Sequence, residues 1–241
     1  MKSVKKQDIS TRERLLAGAC EIFAKKGYRD ATIADICERA GANVAAVNYH
    51  FGDKETIYIE AWRRAFHKSL EAYPPDGGIA PDAPAEERFR GRILAVMQRF
   101  AYPKSYEFEI MSKELTTPTG LLTEVMRESI EPLRREFGRI VSELLGKRAS
   151  EQQVQLCRMS VMAQCINMMV HQQHRKSFAE AGIKSDLPLD NLKIEMMADH
   201  VARFSLAGIR EIRRQIESGE LANQAWTASA NNPQKTLYET K

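Results

Sequence analysis

The residues best placed by type and spacing to do chemistry fall between Thr32 and Lys54. Thr32, with Asp35 three residues on, reads as a capped helix start, and Ile33, Ile36, Cys37 and Ala40 share one face before Gly41 ends the helix. Asn43 is a further cap candidate and opens a very short helix of about 44–50, after which Gly52 and Asp53 break and restart the chain. Val47 and Phe51 read as its inward anchors. Val44, Ala45, Ala46 and Asn48 then face outward, joined by the polar tips of Tyr49 and His50. Two short capped helices joined by Gly41-Ala42-Asn43 describe a helix-turn-helix, whose second helix presents its outer face to a DNA major groove. The same spacing also fits a plain helical hairpin used as scaffold, with Tyr49 and His50 as packing or surface groups. A helix this short cannot stand alone, so its neighbours must hold it.

Those neighbours are helical throughout. Ser10-x-x-Glu13 reads as a capping box, and Leu15, Leu16, Ala19, Ile22 and Phe23 recur with a 3.6-residue period. Gly27 after Lys25 and Lys26 ends this first helix, of about 11–26. Asp53 caps a longer helix from Lys54 to about Tyr73, with Ile57, Ala61, Trp62 and Ala65 inward. Residues 74–84, rich in Pro and Gly, are the clearest linker. Further helices are expected at 86–101, 106–116, 120–145 (with Pro132 as a kink), 150–181 and 189–218. The fold class is therefore all-α: an N-terminal three-helix unit over residues 1–53, with the next helix reaching about 70, and a C-terminal helical unit over 71–221. Residues 222–241 lack periodicity and read as a disordered tail.

Charge separates the same two units. The formal net charge of the 241-residue chain is +4, and residues 1–70 hold 13 Lys and Arg against 9 Asp and Glu. The remaining residues hold 23 of each sign, so the whole excess lies in the first unit. Positive charge adds sequence-independent affinity for nucleic acid or acidic lipid, while four charges alone could arise by chance. A neutral second unit suggests an effector not selected by strong charge. No run approaches the ~18 apolar residues of a membrane span, and no apolar segment follows the basic N-terminus as in a secretory signal. Cys20, Cys37, Cys157 and Cys165 form no C-x-x-C pair, so a reduced, cytoplasmic setting is expected.

The stretch from Ala31-Thr32-Ile33-Ala34-Asp35-Ile36 through Gly41-Ala42-Asn43-Val44-Ala45-Ala46-Val47-Asn48-Tyr49-His50-Phe51-Gly52-Asp53-Lys54-Glu55 resembles the DNA-binding domain of the TetR family of bacterial transcription regulators. The resemblance covers roughly residues 10–70. Ala42 departs from the family's usual Val, and Asn48 from its frequent Tyr; the second change bears on operator sequence. The resemblance implies that Thr32 offers its hydroxyl and backbone N–H to a phosphate. Tyr49 and His50 are similar to family residues whose polar tips meet the DNA backbone, and Lys54 adds a phosphate charge. Val44, Ala45 and Asn48 are candidates for base edges, since Asn can pair bidentately with adenine and small apolar groups can meet a thymine methyl. Asn43 opens that reading helix.

The resemblance further implies a ligand-responsive homodimer on a palindromic double-stranded operator, acting by repression. Helices at about 150–181 and 189–218 would form the dimer's four-helix bundle. The small-molecule effector would lie among the helices between 86 and 175, with Phe100, Tyr102, Phe108, Met111, Glu114, Met162 and His171 as candidate liners. Glu114-Leu115-Thr116-Thr117-Pro118-Thr119 is similar to a motif of the CecR-like subgroup, whose members tend to regulate drug-efflux and transport genes; Glu114 reads equally as a capping or salt-bridge carboxylate. No cofactor is expected. His171 and His174, with Cys165 and His200, could be imagined around zinc, but Gln172-Gln173-His174-Arg175-Lys176 reads as a solvated helix end, and no metal is expected. Without a nucleophile elbow, P-loop or G-x-G-x-x-G, no enzymatic activity is expected.

Overall fold

The computed structural model describes residues 10–102, 106–180, 182 and 192–220, the side chains of 172–180 excepted. The expected disordered tail at 222–241 lies outside these residues. Nine helices and no strand occur among the described residues. The first, α1 (Thr11–Asp30), is broken at Gly27, where φ is 74° and ψ 177°, so its regular part ends at Lys25 and Lys26. Its cap is half of the expected box. Ser10 Oγ accepts from the Glu13 N–H at 3.2 Å, but the Glu13 carboxylate pairs with Arg64 instead of returning to the cap.

Helices α2 (Ile33–Ala40) and α3 (Val44–Phe51) follow, then α4 (Lys54–Ala72). They share one core with α1, built on Leu15, Phe23, Ile36, Val47, Tyr58 and Trp62. Fully burying side chains of this size contributes roughly 1.5–3 kcal/mol each, which is what holds the eight-residue α3 in place. Tyr28, Phe23 and Tyr58 meet ring against ring, with Phe23 and Tyr58 edge-on at 4.7 Å.

The segment 74–84 is no loose linker. Gly77 donates to the Pro74 carbonyl at 3.0 Å, and its left-handed backbone (φ 65°) lays it against Gly91 on α5 (Ala85–Ala101). A Cβ at Gly77 would lie 2.4 Å from the Gly91 carbonyl oxygen, so two glycines are what permit this approach.

Beyond it come α6 (Glu107–Thr116), α7 (Thr123–Leu145), α8 (Glu151–Glu180) and α9 (Ile194–Ser218). Helix α7 starts three residues later than Gly120, because the Thr119 and Gly120 N–H groups both donate to Glu114 at 3.0 Å. It runs unbroken past Pro132, which is exposed. A second core joins α5, α7, α8 and α9 around Phe89, Ile93, Met97, Phe137, Val141 and Val201. Helix α6 belongs to both cores: Ile110 packs with the first, Phe108 and Met111 with the second. Among the described residues, no helix is long and apolar enough to cross a membrane.

Candidate nucleic-acid interface and cavity

The outer face of α3 follows from its caps and anchors. Asn43 Oδ1 accepts from the Ala46 N–H at 2.9 Å and starts the helix in register with Val47 and Phe51 buried. Gly41, at φ 60°, makes the tight exit from α2 that a side-chain-bearing residue would resist. Val44 (50% exposed), Ala45, Asn48 and Tyr49 (85% exposed) are consequently left outside, and two of these are large apolar or aromatic groups with nothing covering them. Ala46 departs from expectation: it is half-buried against the first core. His50 is half-buried too, edge-on to Tyr49 at 4.9 Å.

Two phosphate candidates are built differently from their sequence reading. Thr32 and Asp35 form a reciprocal capping box, in which the Thr32 N–H donates to Asp35 Oδ2 at 2.9 Å. Asp35 N–H donates back to Thr32 Oγ1 at 3.1 Å. The Thr32 N–H is therefore committed, and only its hydroxyl proton remains for a phosphate. Lys26 lies 2.8 Å from Asp35, and this contact, with the bonds from Thr32, holds the Asp35 carboxyl down at about 2. Lys54 Nζ sits 4.5 Å from the Tyr28 ring centroid and 3.5 Å from the Arg29 carbonyl. Tyr28 thus serves as a platform that orders a long cationic side chain, a role its sequence position gave no sign of.

The second unit encloses a cavity of about 480 Å³ between α4, α5, α6, α7 and α8. Of the residues expected to line an effector site, Phe100, Met111 and Met162 do so. Phe108 stands behind, its ring tilted against that of Phe100 with centroids 4.9 Å apart. Tyr102 caps α5 and meets Tyr73 edge-on, and His171 is exposed on α8. Glu114 is not a liner but a joint: it accepts from the Tyr58 hydroxyl of α4 at 3.0 Å, and from Thr119 and Gly120. Burial, with the Glu114 charge, pushes the Tyr58 hydroxyl's pKa up, so it remains a donor. A larger cleft of about 950 Å³ between the end of α7 and α9 is a surface groove among exposed charged groups such as Arg139, Lys147 and Arg213.

The cavity wall carries three charged residues that the helical pattern concealed. Arg99, over the Phe66 ring at 5.1 Å, donates to Glu107 Oε1 at 2.5 Å. Ser69, at the end of α4, donates its hydroxyl to the other oxygen of Glu107. One buried cluster thereby ties α4, α5 and α6 together. Burial pushes the Glu107 carboxyl up, while Arg99 and Ser69 pull it down. Arg92, the third, sits beside them on α5. Arg92 lies three residues from Phe89 and four from Val96, and Arg99 three from Val96, so each falls on the apolar stripe, which was the available signal for both.

Metal and redox chemistry find little here. The four cysteines are free and buried, and burial pushes the Cys20 and Cys165 thiols up to about 12. No group of three or more His, Cys, Asp and Glu among the described residues could hold a metal ion. The side chain of His174 lies outside them.

A capped recognition helix held on a three-helix core, with a hollow helical unit behind it, defines the class of helix-turn-helix DNA-binding regulators. The family model for bacterial regulatory proteins of the tetR family matches residues 15–61. That for the C-terminal domain of the HTH-type transcriptional dual regulator CecR matches residues 85–209, just over half of the chain. The chain belongs to the TetR family of transcription regulators, with a CecR-type second domain, and that family comprises DNA-binding regulators rather than enzymes. It is similar to the HTH-type transcriptional regulator SrpR of Pseudomonas putida, 28% identical over 46% of this chain and 50% of that protein. It is also similar to the dual regulator CecR of Shigella flexneri, 25% identical over 58% of this chain and 67% of that protein. The solved fatty acid degradation regulator FadR from Bacillus halodurans shares the fold, with a TM-score of 0.62 at 15% identity over 85% of this chain and 99% of that one.

Proposed function

We propose that this regulator is a homodimeric, ligand-responsive repressor that reads a palindromic double-stranded operator with α3. Residues 1–53, with α4 to about 70, form the reader; residues 71–221 hold the effector and the dimer contact. Val44, Ala45 and Asn48 meet base edges, while Thr32, Tyr49, His50 and Lys54 meet the DNA backbone, with Asn43 setting the helix start. The observation that carries the reading is α3 itself, anchored by Val47 and Phe51 while Val44 and Tyr49 stand uncovered. The exposed Leu156, Met159, Met196 and Phe204 on α8 and α9 support a dimer through those helices. Half-sites then lie about one helical turn apart (~34–36 Å), and an effector that favours another spacing releases the DNA. Glu107 and Ser69 supply the route, since a change at the cavity wall reaches α4 through them. Placement in the cytoplasm and control of transport, efflux or neighbouring genes follow the resemblance to CecR-like regulators.

The test is binding to the gene's own upstream duplex and to a scrambled one. Asn48→Ala should relax the preference between them by roughly 1–3 kcal/mol. Lys54→Ala should weaken both alike and lower the salt slope by about one. An Asn48→Ala protein with unchanged preference would remove α3's base-reading role.

A further inference from the structure

The cavity wall is cationic although the unit around it is neutral overall. Among the described residues, Arg92, Arg99, Arg134 and Arg158 border the cavity against a single carboxylate, Glu107, which is already engaged by Arg99 and Ser69. Arg134 is exposed and Arg158 half-buried, bonded to Gln155, and neither enters an ion pair among the described residues. Arg92 is different because it is only 6% exposed. Among the described residues its hydrogen-bond partner is neutral: Nη2 donates to the Leu133 carbonyl of α7 at 2.6 Å. No carboxylate among the described residues lies within 4 Å of it; Glu136 and Asp76 act only from farther away, and Glu136 is engaged by Arg139.

A buried guanidinium without a counterion is costly, and buried charges in proteins are as a rule paired. Burial and the neighbouring Arg99 charge both depress the Arg92 pKa, the direction expected of a cation lacking an anion. Arg92 borders the cavity, whose walls also include Ile93, Val96, Phe137, Met162 and Ile166. A cation would be repelled by such a site, and a neutral apolar molecule would leave Arg92 as unpaired as before. At about 480 Å³ the space falls within the ordinary range for small-molecule sites.

We infer that the effector is an anion with an apolar body, its carboxylate seated on Arg92 and its hydrocarbon part between α5, α7 and α8. This rests on the cavity being the effector site proposed above, and it names what that site selects. A guanidinium meets a carboxylate in a planar two-bond geometry that a lysine ammonium does not reproduce. The incoming head also lies beside Arg99, so it competes with Glu107 for that guanidinium and loosens the cluster holding α4.

The test uses straight-chain probes that differ only in the head: octanoate, decanoate and dodecanoate, the alcohols of the same lengths, and decyltrimethylammonium. Binding to the full chain is measured by titration calorimetry, and DNA release by fluorescence anisotropy in parallel. At least one carboxylate should bind roughly ten- to hundredfold more tightly than its alcohol, and the quaternary ammonium should not compete. Arg92→Met, which keeps the volume and removes the charge, should abolish that preference while its unfolding temperature shows the fold retained; Arg92→Lys should restore part of it. Should Arg92→Met fail to fold, Arg92→Lys alone must still lower the carboxylate preference. Equal affinity for carboxylate and alcohol, unaltered preference in the Arg92 variants, or no binding of any carboxylate would each overturn the inference. Carboxylate-selective binding that leaves DNA bound would uphold it and overturn the ligand-responsive reading instead.

Discussion

Replacing Glu107 by Gln tests how firmly the reader is tied to the cavity. Arg99 and Glu107 are each 4% exposed, so water and salt screen their attraction very little. The substitution keeps the size and leaves Ser69 a partner, but it strands the Arg99 guanidinium in the core. Removing one member of a buried pair costs about 3–5 kcal/mol, against the 0–1 kcal/mol typical of an exposed pair. We expect a loss in the upper range by urea unfolding at fixed protein concentration, with an unchanged denaturant slope. The reverse variant, Arg99→Met, should behave differently with pH. The Glu107 carboxyl is pushed up chiefly by burial, and Arg99 opposes that push. Without Arg99 the carboxyl rises further above its unfolded value, so the folded state takes up a proton more readily. Its contribution is then fully present below the unfolded pKa and is lost as pH rises through the folded one. The deficit of Arg99→Met should accordingly be smaller at about pH 5 than at about pH 8. A Glu107→Gln loss under about 1 kcal/mol, or an Arg99→Met deficit that grows on acidification, would refute the reasoning.

Three further outcomes are expected. Asn43→Ala removes the only side-chain cap of α3 and should cost about 1 kcal/mol of stability, lowering affinity for matched and scrambled duplexes together; thermal unfolding beside anisotropy checks both. The Asp35 carboxyl falls from 3.8 to about 2 through Lys26 and the Thr32 bonds, so its stabilisation is present above its unfolded value and lost as pH falls through the folded one. An NMR titration should place it there, and Asp35→Asn should flatten acid unfolding in that window. Phe204, 65% exposed on α9, should be a dimer contact, so Phe204→Glu should give a folded monomer by light scattering and helical circular dichroism; a persistent dimer would move the contact elsewhere.

The reader was legible because local rules settle it. Thr32, Asn43 and Asp53 cap three consecutive helices at the positions their residue types announce, each by a side chain accepting from the backbone three residues on. What the pattern missed there depends on partners distant in sequence. Glu13 sits where a capping box wants it and yet turns to Arg64, fifty-one residues away. Glycine composition marked 74–84 as a linker, whereas Gly77 is glycine because it lies against Gly91. Lys54 announced itself as a cation, but its platform, Tyr28, belongs to another helix.

The second unit was harder because counting charges by segment discards where they point. Residues 71–241 balance to zero, which suggested an effector indifferent to charge. In the fold, the acidic groups Glu124, Glu143 and Glu217 lie outside, whereas Arg92 and Arg99 lie inside on the apolar stripe of α5. Buried Glu107 and Glu114 balance those two arginines overall, but Glu114 lies away from the cavity, so among the described residues a neutral total coexists with a cationic cavity wall. Low dielectric makes the interior charges count for more than the exterior ones. The consequence reaches the DNA reader, because Glu107 is both the only carboxylate on the cavity wall among the described residues and the acceptor of Ser69 on α4. An anion that satisfies the arginines reduces their hold on Glu107, and the energy that selects such a ligand is then the energy available to shift α4. A neutral ligand of equal size would fill the cavity and leave that cluster intact, which is why selectivity for the head group and release of DNA should rise and fall together across the Arg92 variants.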